Sequence, residues 1–154
     1  MNTLPHLPRR ARGAAAVELA LILPLMLALL AGPLLLARFC WHYTAANKAA
    51  QDAARYLSTV SRQEMREPQL ALAAAVVARE IALAQVAELP SNEGGPRVEV
   101  QCGEAACSGV REGALPATVR VRLDLDMAEL LGLGAAGGQG IVINVDAVMP
   151  YVGK

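Results

Sequence analysis

Arg12–Gly13–Ala14–Ala15–Ala16–Val17–Glu18–Leu19–Ala20–Leu21 is the stretch on which the fold turns. It leads into Ile22–Leu23–Pro24–Leu25–Met26 and an apolar run with no charge from Leu19 to Ala37. A helix needs roughly 20 apolar residues to cross a bilayer core, and Ala14 to Ala37 is long enough. Arg9, Arg10 and Arg12 stand in front of the run. Positive residues beside a membrane helix stay in the cytoplasm, so the amino end is expected inside and everything past about Arg38 outside. Glu18 is a carboxylate inside the front edge of the run. At the centre of a span a charge costs about 2.5–3.5 kcal/mol, and less near the headgroups. Glu18 therefore reads either as a snorkelled interfacial residue or as a functional carboxylate that needs a partner. Cleavage after Gly13 would supply one: a new amine on Ala14, with Glu18 the fifth residue of the mature chain.

This wording, from Gly13 through Glu18 with Leu23–Pro24–Leu25 following, resembles the class III signal peptides of type IV pilins and pseudopilins, and most closely the TadE-like branch. A second stretch, Ala45–Ala46–Asn47 through Ala53–Ala54–Arg55–Tyr56, is similar to the alanine-rich segment of that branch. The resemblance covers about residues 9–57. It implies a minor pseudopilin of the tight-adherence (Flp-type) pilus machinery, with a structural role and no enzymatic activity. Gly13, Ala14 and Glu18 would be the processing motif. The implied partners are the prepilin peptidase, other minor pseudopilins, the major Flp-type pilin and inner-membrane platform proteins. Whether such a subunit enters, caps or primes the fibre stays open. Two departures are Ala14, where many pilins have Phe, and Leu19, where an aromatic often follows the glutamate.

Other fates of the apolar run fit less well. A secretory signal would be cut after the run at a small-residue site. Ala31 and Ala37 have only Leu29 and Leu35 two residues upstream. A lipoprotein signal would need small residues before Cys40, which follows Arg38–Phe39. The strongest rival is an uncleaved anchor carrying a periplasmic binding or sensory domain. Pro24 and Pro33 lie inside the run, where membrane helices tolerate proline at the cost of a local bend.

The 154 residues leave room for one modest domain beyond the span. Lys plus Arg and Asp plus Glu are 14 each, so no net field favours nucleic acid. Past Arg38 the helix is expected to continue over residues 39–62, outside the membrane. Phe39, Tyr43, Ala46, Ala50, Ala53, Leu57 and Val60 follow steps of four and three, a narrow helix-packing seam. It would cover the chain's own domain and could also meet neighbouring subunits. Ser61 to Pro68 reads as a break, with Pro68 opening a second helix that ends near Leu89, before Pro90. Its apolar stripe is expected to be Leu70, Ala73, Ala74, Val77, Ile81 and Ala84. From Arg97 the period becomes two: Arg97–Cys102, then Val119, Val121, Leu123, Leu125 and Met127 on one face, then Ile141, Ile143 and Val145. The fold expected is α+β: a membrane helix over 14–38 and its stalk continuation over 39–62 behind a 1–13 leader, then a 66–154 domain of a second helix and a small antiparallel sheet of three to four strands.

Candidate chemistry is sparse. Gly132–Leu133–Gly134–Ala135–Ala136–Gly137 matches G-x-G-x-x-G, but a dinucleotide fingerprint must leave a strand and open a helix. This one leads into a strand and reads as a flexible loop. His6 lies in the leader, and His42 has no His, Cys or carboxylate at ligand spacing, so it reads as an interfacial polar residue. Neither a metal nor a cofactor is expected. Asp124 and Asp126 alternate with Arg120 and Arg122 as solvated strand charges. No serine stands in a nucleophile-elbow context. Cys102 and Cys107 flank four residues after a strand and are expected to form a loop-stapling disulfide outside the inner membrane, in preference to free or metal-bound thiols. Cys40 is left over as a buried small hydrophobe.

Overall fold

The computed structural model describes residues 11–91, 94–108, 114–127 and 141–154. Residues 1–10 of the expected leader and the glycine-rich stretch 132–137 lie outside the described residues, as do the side chains of 11–14. The elements in order are α1 (Ala11–Ser58), α2 (Arg62–Arg66), α3 (Pro68–Val86), β1 (Arg97–Cys102), β2 (Ala105–Ala106), β3 (Thr118–Met127) and β4 (Ile141–Pro150). The strands form one antiparallel sheet in the order β2-β1-β3-β4. This is the α+β class expected from the sequence. By compactness the chain divides into two units, Met1–Cys40 and Trp41–Lys154.

In the first unit α1 runs through Pro24 and Pro33 without ending. Each proline lacks the N–H that would bond the carbonyl four residues back, at Ala20 and Leu29. The side chains from 15 to 30 are exposed, so the apolar surface finds no cover in its own unit.

In the second unit β3 carries the expected alternation: Val119, Val121, Leu123, Leu125 and Met127 are buried, and the residues between them are half-buried or exposed. Register places Val98 and Val100 of β1 beside Leu123 and Val121, and Val145 and Ala147 of β4 on their other side, which extends one apolar row across three strands. The opposite face is a charge ladder. Glu99, Arg122 and Asp146 share one row, Arg97 and Asp124 the next, and Arg120 Nε lies 3.7 Å from Asp146 Oδ2. Arg120, Arg122, Asp124 and Asp126 are half-buried, not fully solvated as the strand pattern alone suggests, because side chains of the flanking strands stand beside them, on both sides for all but Asp126.

The helices contribute small residues to the core. Ala46, Ala49, Ala50, Ala53, Ala54 and Leu57 of α1 are buried, as are Ala71, Ala74, Ala78, Ala82 and Val86 of α3. The two helices meet where Gln85 Nε2 donates to Asp52 Oδ2 at 3.1 Å. The α3 stripe differs from the expected one. Of its members only Ala74 is buried, while Leu70, Ala73, Val77 and Ala84 are exposed and Ile81 is half-buried. Burying alanines lets the helix approach its neighbours closely, and the larger aliphatics are turned outward.

Two features replace the expected break at 61–68. Ser61 and Glu64 form a capping box at the start of α2: Ser61 Oγ accepts from Glu64 N at 3.2 Å, and Glu64 Oε2 accepts from Ser61 N at 3.1 Å. Glu64 Oε2 also accepts from Ser61 Oγ at 2.7 Å, and this bond first, then the one from Ser61 N, holds the Glu64 carboxyl below its ordinary pKa. The segment after β4 then folds back on the end of α1. Ser58 O accepts from Val152 N at 3.1 Å and Gly153 N at 3.2 Å, Tyr151 Oη donates to Val60 O at 2.9 Å, and Arg62 N donates to Lys154 O. Three residues thereby satisfy the carbonyls of Ser58 and Val60 at the helix end, Lys154 accepts from Arg62, and together they tie α1 to the sheet.

Candidate functional site

The candidate site is the amino-terminal half of α1. Gly13 and Ala14 have helical backbone, and Glu18 one turn later is exposed. Glu18 and Arg38 are twenty residues apart, about 30 Å along a helix axis. That equals the thickness of a bilayer hydrocarbon core. Between them α1 is apolar and long enough to cross a membrane. α3 also has the length and composition of a span, but its alanine face is packed inside the second unit. Just past Arg38 stand three aromatics, and Trp41 and Tyr43 are 60% and 43% exposed. Residues two apart point to nearly opposite sides of a helix, so the two rings flank it.

The expected seam is resolved residue by residue. Ala46, Ala50, Ala53 and Leu57 are buried within their own unit, so their surface already serves the domain. Phe39 is half-buried and Tyr43 is exposed. The buried line continues from Ala46 to His42, a step of four, and not to Tyr43, a step of three. His42, expected as an interfacial polar residue, is thus fully buried, with its ring edge-on to Trp41 at 5.4 Å. Cys40 is exposed instead of buried, because it lies two residues from His42 and so on the far side of the helix.

Cys102 and Cys107 are joined by a disulfide, with Cα atoms 4.8 Å apart. It closes the β1–β2 hairpin, whose two-residue loop is Gly103–Glu104. Gly103 has φ +72°, a left-handed value at the first loop position that glycine accepts without strain. Cys102 Sγ lies 3.9 Å from Sδ of Met65, the buried residue of α2. The disulfide thus fixes the short edge strand beside a helix. Among the described residues no group of three or more His, Cys, Asp or Glu side chains is placed to hold a metal ion.

Residues 13–55 match the model of the TadE-like protein family. No curated protein and no solved structure matches the chain. The TadE-like segment begins at Gly13, takes in the whole apolar run and ends in the buried alanine line, three residues before α1 ends at Ser58. It therefore crosses from the first unit into the second. The α3 helix and the sheet lie beyond it.

The latch of residues 151–154 and the α2 capping box escaped the sequence reading. The capping box had a signal, since Ser61 and Glu64 stand three residues apart before Met65. The latch had none, because its partners are backbone carbonyls about ninety residues away in sequence.

Proposed function

We propose that the protein is a membrane-inserted minor pseudopilin that takes part in assembly of a tight-adherence (Flp-type) pilus. One observation carries this reading: the TadE-like match begins at the glycine that precedes Glu18 by five residues, and the helix it covers exposes an apolar surface one bilayer thick. In this reading a prepilin peptidase cuts after Gly13. The mature helix stays in the inner membrane with its amino end toward the cytoplasm, and the second unit stands in the periplasm. Trp41 and Tyr43 sit at the outer headgroups, where amphipathic rings are favoured. Glu18 lies at the inner edge and pairs with the new amine of Ala14, on its own chain or a neighbour's. Pairing with a neighbour sets the axial register between subunits, since the attraction falls steeply with distance in low dielectric. Partners are the prepilin peptidase, the other minor pseudopilin, the major pilin and the platform proteins. The role is structural and not catalytic.

Intact mass from cells that hold the peptidase tests the processing step. The expected mature chain starts at Ala14, and Gly13→Val stays uncut. Glu18→Ala is expected to be made, inserted and cut, yet to lose copurification with its pseudopilin partners, with Glu18→Asp as the charge-preserving control. An uncut wild-type chain refutes the reading and favours a permanently anchored domain. Normal assembly of Glu18→Ala leaves the carboxylate with an interfacial role only.

A further inference from the structure

The sheet has two edges, and they are treated differently. One is β2, two residues long and closed by a disulfide. Short edge strands resist pairing with other chains. The other is β4, ten residues long and paired with β3 at every position, with no bulge to twist it away. Among the described residues no strand pairs with its outer side. Its sequence, Ile141–Val142–Ile143–Asn144–Val145–Asp146–Ala147–Val148–Met149–Pro150, holds one charge and no lysine, and its proline comes only at the end. Val142 and Val148 are 60% and 48% exposed on the face opposite the core. A long edge without the usual defences presents a row of backbone donors and acceptors that another strand satisfies.

The residues of β4 also say which strand. In an antiparallel pair centred on Val145, residue 141 meets 149, 142 meets 148, 143 meets 147 and 144 meets 146 of the second strand. On the core-side face this sets Ile141 against Met149, Ile143 against Ala147 and Val145 against itself. On the other face Val142 meets Val148, and Asn144, whose amide donates, meets the carboxylate of Asp146. The Val145 pair lies on the two-fold axis and every other contact occurs twice about it, as an isologous interface requires. Cross-strand pairs of these kinds stabilise a sheet, while like charges directly opposite destabilise it. Centring one residue later puts Asp146 against Asp146. Centring one residue earlier shortens the ladder to seven residues and sets Asp146 against Val142. The Val145 register pairs nine residues and leaves Pro150, which cannot donate, outside the ladder.

We infer that β4 is a self-pairing edge, through which two copies of this chain join their sheets into one of eight strands about a two-fold axis at Val145. The inference does not depend on cleavage at Gly13 or on pilus assembly.

The test uses the full chain in membranes, in a Cys40→Ser background. Chains with Val142→Cys and with Val148→Cys, carrying different tags, are expressed separately and together and then oxidised mildly. The two cysteines face each other only between copies. Residue 142 of each chain lies about 20 Å from residue 142 of the other, out of disulfide reach. The expected result is a crosslinked dimer carrying both tags in the mixed sample, and at least ten-fold less in either sample alone. Adding Asn144→Asp sets carboxylates opposite one another between copies and also faces Asp124 within the chain, so circular dichroism of the variant is followed alongside; the crosslinked fraction should fall several-fold while the fold signal stays unchanged. Equal crosslinking of the single samples overturns the register. A mixed sample that stays uncrosslinked while both thiols react with maleimide overturns the pairing, including the case where the chain dimerises by its membrane helix or pairs β4 with a different protein. A crosslinked fraction that Asn144→Asp leaves unchanged overturns the Asn144–Asp146 contact and with it the Val145 centre.

Discussion

Gly153→Ala probes how α1 is held to the sheet. Gly153 has φ +54°, and an alanine there pays about 1–2 kcal/mol for left-handed backbone. Its Cβ would stand 2.8 Å from Arg62 Cγ and 2.9 Å from Cζ and Oη of Tyr151. Arg62 is a flexible chain and can move. Tyr151 is held twice, by its N–H to Ala117 O and by its hydroxyl to Val60 O, so its ring retreats only by losing the hydroxyl bond, worth about 1 kcal/mol. The sum is about 2–3 kcal/mol. Gly95→Ala is the control, because Gly95 has φ +60° but no atom within 4 Å of its would-be Cβ. It should cost only the backbone term, about 1–2 kcal/mol. Thermal unfolding of the detergent-solubilised chain, followed by circular dichroism, should therefore show Gly153→Ala melting about 4–8 °C below Gly95→Ala. If the two variants melt together, the segment after β4 is not packed on α1 as described and the latch is refuted.

Burial holds the Tyr151 hydroxyl above its ordinary pKa, with Arg62 opposing and Glu64 adding to the shift. The latch's contribution is then fully present below the ordinary tyrosine value and lost as pH rises through the raised folded value, so wild type should show an alkaline loss of stability that Tyr151→Phe removes. The Phe variant should itself be about 0.5–1.5 kcal/mol less stable near neutral pH, measured by denaturant titration. Ala78→Leu should destabilise by about 1–3 kcal/mol through overpacking, while Leu72→Ala should fall within about 0.5 kcal/mol of wild type. The reverse order in the same titration would mean that α3 buries its other face. Differential alkylation of material taken from membranes should find Cys102 and Cys107 protected until reduction, and labelling of both without reductant would contradict the staple.

The long apolar helix was legible because it depends on a local quantity. Enough consecutive apolar side chains, with charges at Glu18 and Arg38, define a bilayer-length helix whatever the rest of the chain does. The β3 alternation was legible for a similar reason, since a period of two assigns each side chain of a strand to one face. The Cys102–Cys107 spacing was readable because a short loop keeps the partners close. The α3 stripe misleads because several faces of this alanine-rich helix carry apolar residues at steps of three and four, and period alone does not say which face packs. On α1 both His42 and Tyr43 stand at helical steps from Ala46, and the more apolar ring draws the seam to the wrong one.

From its sequence alone, then, this chain determined a bilayer-long apolar helix with a carboxylate at its front edge, a helical continuation, and an antiparallel sheet with known inward residues. These follow from periodicity and length, which neighbours in sequence decide. The tertiary structure decided which face of each helix is buried. The reason is distance: helices that approach closely bury the side chains that permit the approach, here alanines, whichever residues are most apolar. It also decided that residues 151–154 close the end of α1, since open helix carbonyls take donors from wherever the chain returns. And it left β4 at the edge of the sheet, a position no strand carries in its own sequence, because it is set by the order in which the strands pair.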